Sequence, residues 1–278
     1  MPTVPLTLMT VHAHPDQEAT STGGALRKYA GESIRTVLVT CTDGELGDRP
    51  GGVKPSQPGH DEQSVKGTGR REPAISCGAL RSWTAEALGY HDSGMAEWDH
   101  VGAVGTFANS GLDEEIGRLA DLIERYELQV LASYAEDGRY EPPDHIRTHQ
   151  VALGAFMSSS IPRKLYYTVF AKCLVRRIPP QMKEAGTDPW EVGDIDLDPH
   201  NPPFGVADEL VTTQLDVSAE VPAKLGAGRA YSSQMDNRLF ASFPGEVATL
   251  LLGPEFYIRA IDRTNAPLPE TDLFAGLR

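Results

Sequence analysis

The segment Ala13-His14-Pro15-Asp16-Gln17-Glu18 places an imidazole, two carboxylates and an amide in nearly adjacent positions, directly after the apolar run of residues 4–12. In doubly wound sheets ligands bind at the carboxyl ends of strands, so a strand over 4–12 would deliver these groups to a site. The proline after His14 stiffens the turn and gathers its neighbours toward one point. An imidazole and a carboxylate delivered together suit a cation of the Zn²⁺ type. The imidazole serves as ligand, and the carboxylate as ligand or as base for bound water. The same residues could also cap the next helix and close a turn. A second group lies in Tyr140-Glu141-Pro142-Pro143-Asp144-His145-Ile146-Arg147-Thr148-His149. His145, at a helix start, can supply a second imidazole. His145 and His149 share a helical face, a spacing that can bind metal by itself. No glutamate follows His145, however, and positions 148, 151, 152, 155 and 156 make a mostly apolar face. His149 therefore reads as a packed histidine. Asp92 stands in an Asp-Ser-Gly-Met turn, which an ordinary Asx turn also explains. Arg70 and Arg71 head a helix, where they clamp an anionic or hydroxylated substrate or are simply solvated.

The elements that must position these groups follow from periodicity. Residues 4–12 read as a strand, Thr20–Glu32 as a helix, and 33–45 as a second strand ending in the turn signal Asp43-Gly44. That β–α–β order predicts a right-handed crossover and a parallel sheet. Residues 46–69 form a Gly/Pro/polar loop, helical spacing resumes over 70–87, and 86–95 run from strand to loop. Residues 112–128 read as an amphipathic helix, 129–135 as a strand, 144–159 as a helix and 164–170 as a strand. Beyond a Pro-rich excursion at 178–206, 209–218 read as a strand, 219–238 as a helix and 246–253 as strand-like. The expected fold is α/β: a Rossmann-like, mostly parallel sheet with helices on both faces. It forms a single domain with a core at about 4–175 and a small C-terminal extension at about 176–278.

Length and composition exclude other classes. The 278 residues suffice for a full core, and Lys plus Arg of 25 against Asp plus Glu of 39 gives a net charge of −14. Nucleic acid and anionic membranes reward a basic footprint, so neither is expected as a partner, and no apolar run reaches spanning length. Three cysteines, widely spaced, read as reduced thiols, and the N-terminal residues lack the features of a secretion signal. The expectation is a cytoplasmic protein with a small-molecule substrate. A homo-oligomer stays open.

Taken together, these segments resemble the LmbE-like or PIG-L zinc-dependent de-N-acetylases, closest to the branch of the mycothiol S-conjugate amidase. The resemblance covers most of residues 6–160 and rests on motifs in order. These are Ala-His-Pro-Asp-x-Glu at 13–18 with Gly23-Gly24, "TDGELGD", "RRE", "LGYHDSGM" and "PDHIRTHQVA"; "AGRAYSSQM" near 227–235 is similar to a C-terminal "ALRAHxxQ" element. The resemblance implies a mononuclear metal held by His, Asp and His, with a neighbouring aspartate that deprotonates water for attack on an amide. Carried over by motif, His14 and His145 are imidazole ligands, Asp16 is the base and Tyr140 assists the oxyanion. Arg70, Asp92 and Asp144 fall at substrate-binding positions. Gln17 stands where the family has its carboxylate ligand, Pro142 where it has a histidine, and Pro73 where it has a glutamate. An amide does not offset the cation's charge, so one divalent metal, zinc in the family, is expected in a weakened site. The implied function is a metal-dependent amidohydrolase acting on an N-acyl amide of a polar, sugar- or thiol-conjugated small molecule in specialised metabolism. The alternatives are a repurposed member catalysing a non-hydrolytic biosynthetic step and a substrate-binding protein without turnover.

Overall fold

The computed structural model describes residues 5–48, 53, 55, 57–69, 72–82, 84–95, 103–138, 142–184, 202, 204–231 and 245–278. Its strands are β1 (Thr7–His12), β2 (Arg35–Thr42), β3 (Thr84–Tyr90), β4 (Val130–Tyr134), β5 (Lys164–Val169), β6 (Thr213–Asp216) and β7 (Pro254–Asp262). They form one seven-stranded sheet in the order β3-β2-β1-β4-β5-β7-β6. The first five are mutually parallel, and β7 runs antiparallel to both β5 and β6. β1 and β4 are buried along their whole length, as strands covered on both faces must be.

The helices are α1 (Gln17–Ser21), α2 (Gly23–Gly31), α3 (Glu62–Gly69), α4 (Glu72–Leu80), α5 (Leu112–Arg125), α6 (Pro143–Ser158), α7 (Lys172–Val175), α8 (Ile178–Glu184), α9 (Val221–Ala230) and α10 (Gly245–Leu252). Alternation along β1 sends Met9 and Val11 to a core shared with Leu119 and Ile123 of α5 and with Val151 and Phe156 of α6. Leu8 faces the other way, onto Leu26, Tyr29, Leu80 and Ala227. The strand order reverses between β1 and β4, and the crevice beyond their carboxyl ends is where this architecture places a ligand.

At the start of α2, Glu255 accepts the N–H groups of Gly24 (2.8 Å) and Ala25 (3.1 Å), and Lys224 Nζ neutralises it at 2.8 Å. A built-in carboxylate thus fills the helix N-terminus that takes a phosphate in dinucleotide-binding folds. The close approach requires glycine: a Cβ on Gly24 would lie 2.3 Å from Val217 Cγ2.

Three expectations change. The loop read over 46–69 contains α3, and the helix read over 70–87 ends at Leu80, with β3 beginning at Thr84. Residues 246–253, read as strand-like, lie mostly in α10. Its Ala248, Leu251 and Leu252 are good helix formers that pack on Val169 and Phe256, and the aromatic, β-branched run that follows makes β7. Most of the 178–206 excursion lies outside the described residues; the helix read over 219–238 ends at Ala230, with Tyr231 as its C-cap, and 232–238 lie outside them. Among the described residues, no helix is long and apolar enough to cross a membrane.

Candidate active site

β1 ends at His12, and the chain turns through His14-Pro15-Asp16 into α1. Asp16 sits at the helix N-cap with φ 97° and ψ −28°, a left-handed conformation that costs a residue with a Cβ about 1–3 kcal/mol. Its carboxylate makes no capping hydrogen bond to α1, so capping, the bland explanation for this residue, does not apply. β4 ends at Tyr134, and α6 opens with Pro142 as its N-cap and Pro143 in its first turn. The prolines lack the N–H groups that a helix start leaves unpaired, and they bring Asp144 and His145 to the crevice beside His14.

The two imidazoles are oriented from behind. His145 Nδ1 lies 2.9 Å from the Gly138 carbonyl, which can only accept, so the proton is on Nδ1 and the lone pair on Nε2. His14 Nε2 donates to Asp144 Oδ2 at 3.1 Å and lies 3.5 Å from Asp92 Oδ1, leaving the lone pair on Nδ1. Both lone pairs face one atom, Gln17 Nε2, at 3.3 Å from His14 Nδ1 and 2.5 Å from His145 Nε2. The other end of the amide, Oε1, accepts the His14 backbone N–H at 3.1 Å and the Tyr134 hydroxyl at 2.5 Å. A backbone N–H can only donate, so it fixes which end of Gln17 faces the imidazoles. The Tyr134 ring also stacks on His145, with centroids 4.6 Å apart and planes 5° from parallel.

The carboxylates behind His14 are themselves buried and held. Asp144 Oδ2 accepts the Ser93 N–H at 2.9 Å, and Asp92 Oδ1 accepts the Gly94 N–H at 2.8 Å. Burial opposes charge on the His14 ring, but Asp92 and Asp144 outweigh it and hold its pKa well above the ordinary value. Burial likewise opposes charge on Asp92, and His14 and the Gly94 N–H outweigh it to hold that pKa down. The two carboxylates thus make Nδ1 strongly basic, so a cation there must compete with a proton for its lone pair.

Two imidazoles aimed at one point and anchored behind could supply two ligands to a divalent cation. As found, Gln17 turns its amide nitrogen to that point; its carbonyl oxygen would face the imidazoles only after a half turn that leaves the His14 N–H without its acceptor. His14, Asp92 and Asp144 also each offer a ligand atom within 4.8 Å of the others, on the Nε2 side of the ring. There the hydrogen bond at 3.1 Å makes Asp144 the orienting partner of the imidazole.

The structure thus brings His14, Gln17, Asp92, Asp144 and His145 together, with Asp16 on the same turn. Arg70 and Tyr140 lie outside the described residues. His149 packs, its Nδ1 3.1 Å from the Tyr134 carbonyl and its ring against Tyr167. Sequence reasoning missed Tyr134, which reads as one more apolar residue of a strand. The position of Tyr134, last in a strand at the switch point, was the available signal.

Beneath the turn, Glu18 is fully buried, and burial raises its pKa despite hydrogen bonds from Ser76 and Tyr231. Glu72 lies close to it, and burial, then the Glu18 charge, push its pKa from 4.5 up to about 7. The folded chain therefore keeps a proton on Glu72 that the unfolded chain releases near 4.5. Stability from this group is full at low pH and falls as pH rises from about 4.5 to about 7. Glu72→Gln should remove that decline and stabilise the protein at pH 8 by on the order of 1–3 kcal/mol. Denaturant melts at pH 5 and 8 measure it; an equal effect at both values would contradict the assignment.

Comparisons with known proteins give the family and the fold. The family model described as PIG-L: GlcNAc-PI de-N-acetylase matches residues 9–156. A curated relative, 1D-myo-inositol 2-acetamido-2-deoxy-alpha-D-glucopyranoside deacetylase 1 of Saccharopolyspora erythraea, is 33% identical and covers 99% of this chain and 95% of its own. N,N'-diacetylchitobiose deacetylase from Pyrococcus horikoshii shares the fold with a TM-score of 0.59 at 15% identity, covering 92% of this chain and 84% of that one. A zinc-inhibited form of teicoplanin deacetylase does so with 0.54 at 16%, covering 91% and 98%. With the family model spanning the first β–α–β units and both site motifs, and relatives matching almost end to end, this chain belongs to the PIG-L family.

Proposed function

We propose that the chain is a hydrolase that removes the N-acetyl group of a small sugar-bearing molecule, releasing acetate and a free amine. The observation that carries the reading is the convergence of His14 Nδ1 and His145 Nε2 on one point at the switch point, with Asp16 on the turn that bears His14. The substrate class follows relatives that match nearly the whole chain and are named deacetylases of an acetamido-sugar linked to inositol. His14 through Nδ1, His145 through Nε2 and Gln17 through its carbonyl oxygen would hold one divalent cation, taken as Zn²⁺. Bound there, it would polarise the acetyl carbonyl and acidify water.

The chain's own residues do the rest. Asp16 accepts the proton of the attacking water as the new carbon–oxygen bond forms, and passes it to the amine as the carbon–nitrogen bond breaks. Asp144 and Asp92 hold the Nε2–H of His14 and so keep Nδ1 facing inward; Asp144, fully buried, reaches the substrate only through that ring. Tyr140 donates to the carbonyl oxygen, and Arg70 and Asp92 hold sugar hydroxyls, as the motifs imply. Core and extension work as one unit, because β6 and β7 complete the sheet of the core.

The test is acetate release from an N-acetylglucosaminyl-inositol and from N,N'-diacetylchitobiose with Zn²⁺ supplied. Acetate and free amine in equal amounts are expected, and no release from either compound overturns the reading. A second reading, binding without turnover, is favoured by the Gln17 amide donating to both imidazoles and by Pro142 in place of a histidine. It predicts saturable binding of the same compounds and no acetate.

A further inference from the structure

The conformation of Asp16 needs a cause. Its left-handed backbone is strained for any residue with a Cβ, and no capping bond from its own side chain compensates. What holds it is Glu18, whose Oε2 accepts the Asp16 backbone N–H at 3.2 Å. The other oxygen, Oε1, accepts two hydroxyls: Ser76 Oγ of α4 at 2.5 Å and the Tyr231 hydroxyl at 2.6 Å. Tyr231 lies 213 residues further along the chain, at the end of α9, and is almost wholly buried. A buried carboxylate with fixed donors on one oxygen presents its second oxygen in one direction only. The C-terminal part of the chain thereby reaches the turn that carries Asp16.

We infer that Tyr231 and Ser76 are positioning residues: by clamping Glu18 they hold the Asp16 backbone in its left-handed state and so aim its carboxylate at the reacting water. The inference rests on Asp16 being the base. Without the clamp Asp16 relaxes toward an ordinary helix-entry conformation, and its carboxylate leaves the line of proton transfer. Small misplacements of this kind lower turnover by roughly tenfold to a hundredfold while leaving substrate binding in place.

Tyr231→Phe removes only the hydroxyl. It should lower kcat for acetate release by at least tenfold with KM changed less than twofold, and should have no further effect in an Asp16→Asn background. Ser76→Ala should act in the same direction, and it serves as the readout if Tyr231→Phe does not fold. Amide hydrogen exchange supplies a readout that needs no turnover. The Asp16 N–H should exchange at least tenfold faster in Tyr231→Phe than in the parent, with protection in β1 unchanged. A kcat equal to the parent's, the same loss in the Asp16→Asn background, or unchanged exchange at Asp16 would each overturn the inference. If the parent releases no acetate but Tyr231→Phe still deprotects Asp16, the hydrolase reading fails and the clamp stands.

Discussion

Asp16→Asn should lower kcat for acetate release by about 10²–10⁴-fold while leaving the melting temperature and substrate KM nearly unchanged. The substitution keeps the shape of the side chain and removes its capacity to take a proton. Stability is expected to hold because the carboxylate does not cap α1 and the backbone N–H keeps its bond to Glu18. Asparagine also tolerates the left-handed conformation found here better than most residues. Steady-state kinetics on the two N-acetylated compounds give the result directly. An Asp16→Asn protein as active as its parent would remove Asp16 as the base and with it the proposed proton path.

Gln17→Asp should tighten Zn²⁺ binding by about tenfold to a hundredfold and raise acetate release with it. Position 17 must do two things at once. One end has to accept the His14 N–H and the Tyr134 hydroxyl, and the other has to face the two imidazole lone pairs. A carboxylate has an acceptor at each end, whereas an amide has an acceptor at one end and a donor at the other. With glutamine, a cation between the imidazoles requires the half turn that strands a backbone N–H, a loss worth about 1–3 kcal/mol. Aspartate avoids that loss and adds a negative charge that offsets the cation. Competition against a chromophoric chelator measures the affinities. If Gln17→Asp binds no more tightly than the parent, the amide is not the weak point. If it binds more tightly without releasing more acetate, the site does other chemistry.

Much of this was legible before the fold, and the boundary between what was and was not has physical causes. The parallel core was readable because β1 and β2 are short, buried, β-branched or apolar runs, and α5 shows a clean apolar stripe. Residues 246–253 misled because a Leu-rich run of that length suits a buried helix as well as a strand, and only packing on β5 and β7 decides. The site motifs were legible because His14 and His145 lie on short segments that leave strand ends at the switch point. Gln17 stood out as a departure, but its effect depends on which end of the amide faces the two imidazoles. The His14 backbone N–H settles that, and no residue pattern encodes it. Tyr231 was visible only as part of a C-terminal motif. Its hydrogen bond to Glu18 spans the whole fold and could not be read from spacing.

On the proposed reading, His14 and His145 form a centre able to hold one divalent cation despite Gln17. Equilibrium dialysis of the purified chain against Zn²⁺, with metal content read by mass spectrometry, decides whether they do. One equivalent is expected at saturation, lost in His145→Ala and reached at lower Zn²⁺ in Gln17→Asp. Less than ~0.1 equivalent at saturating metal, or an equivalent that survives His145→Ala, would contradict it.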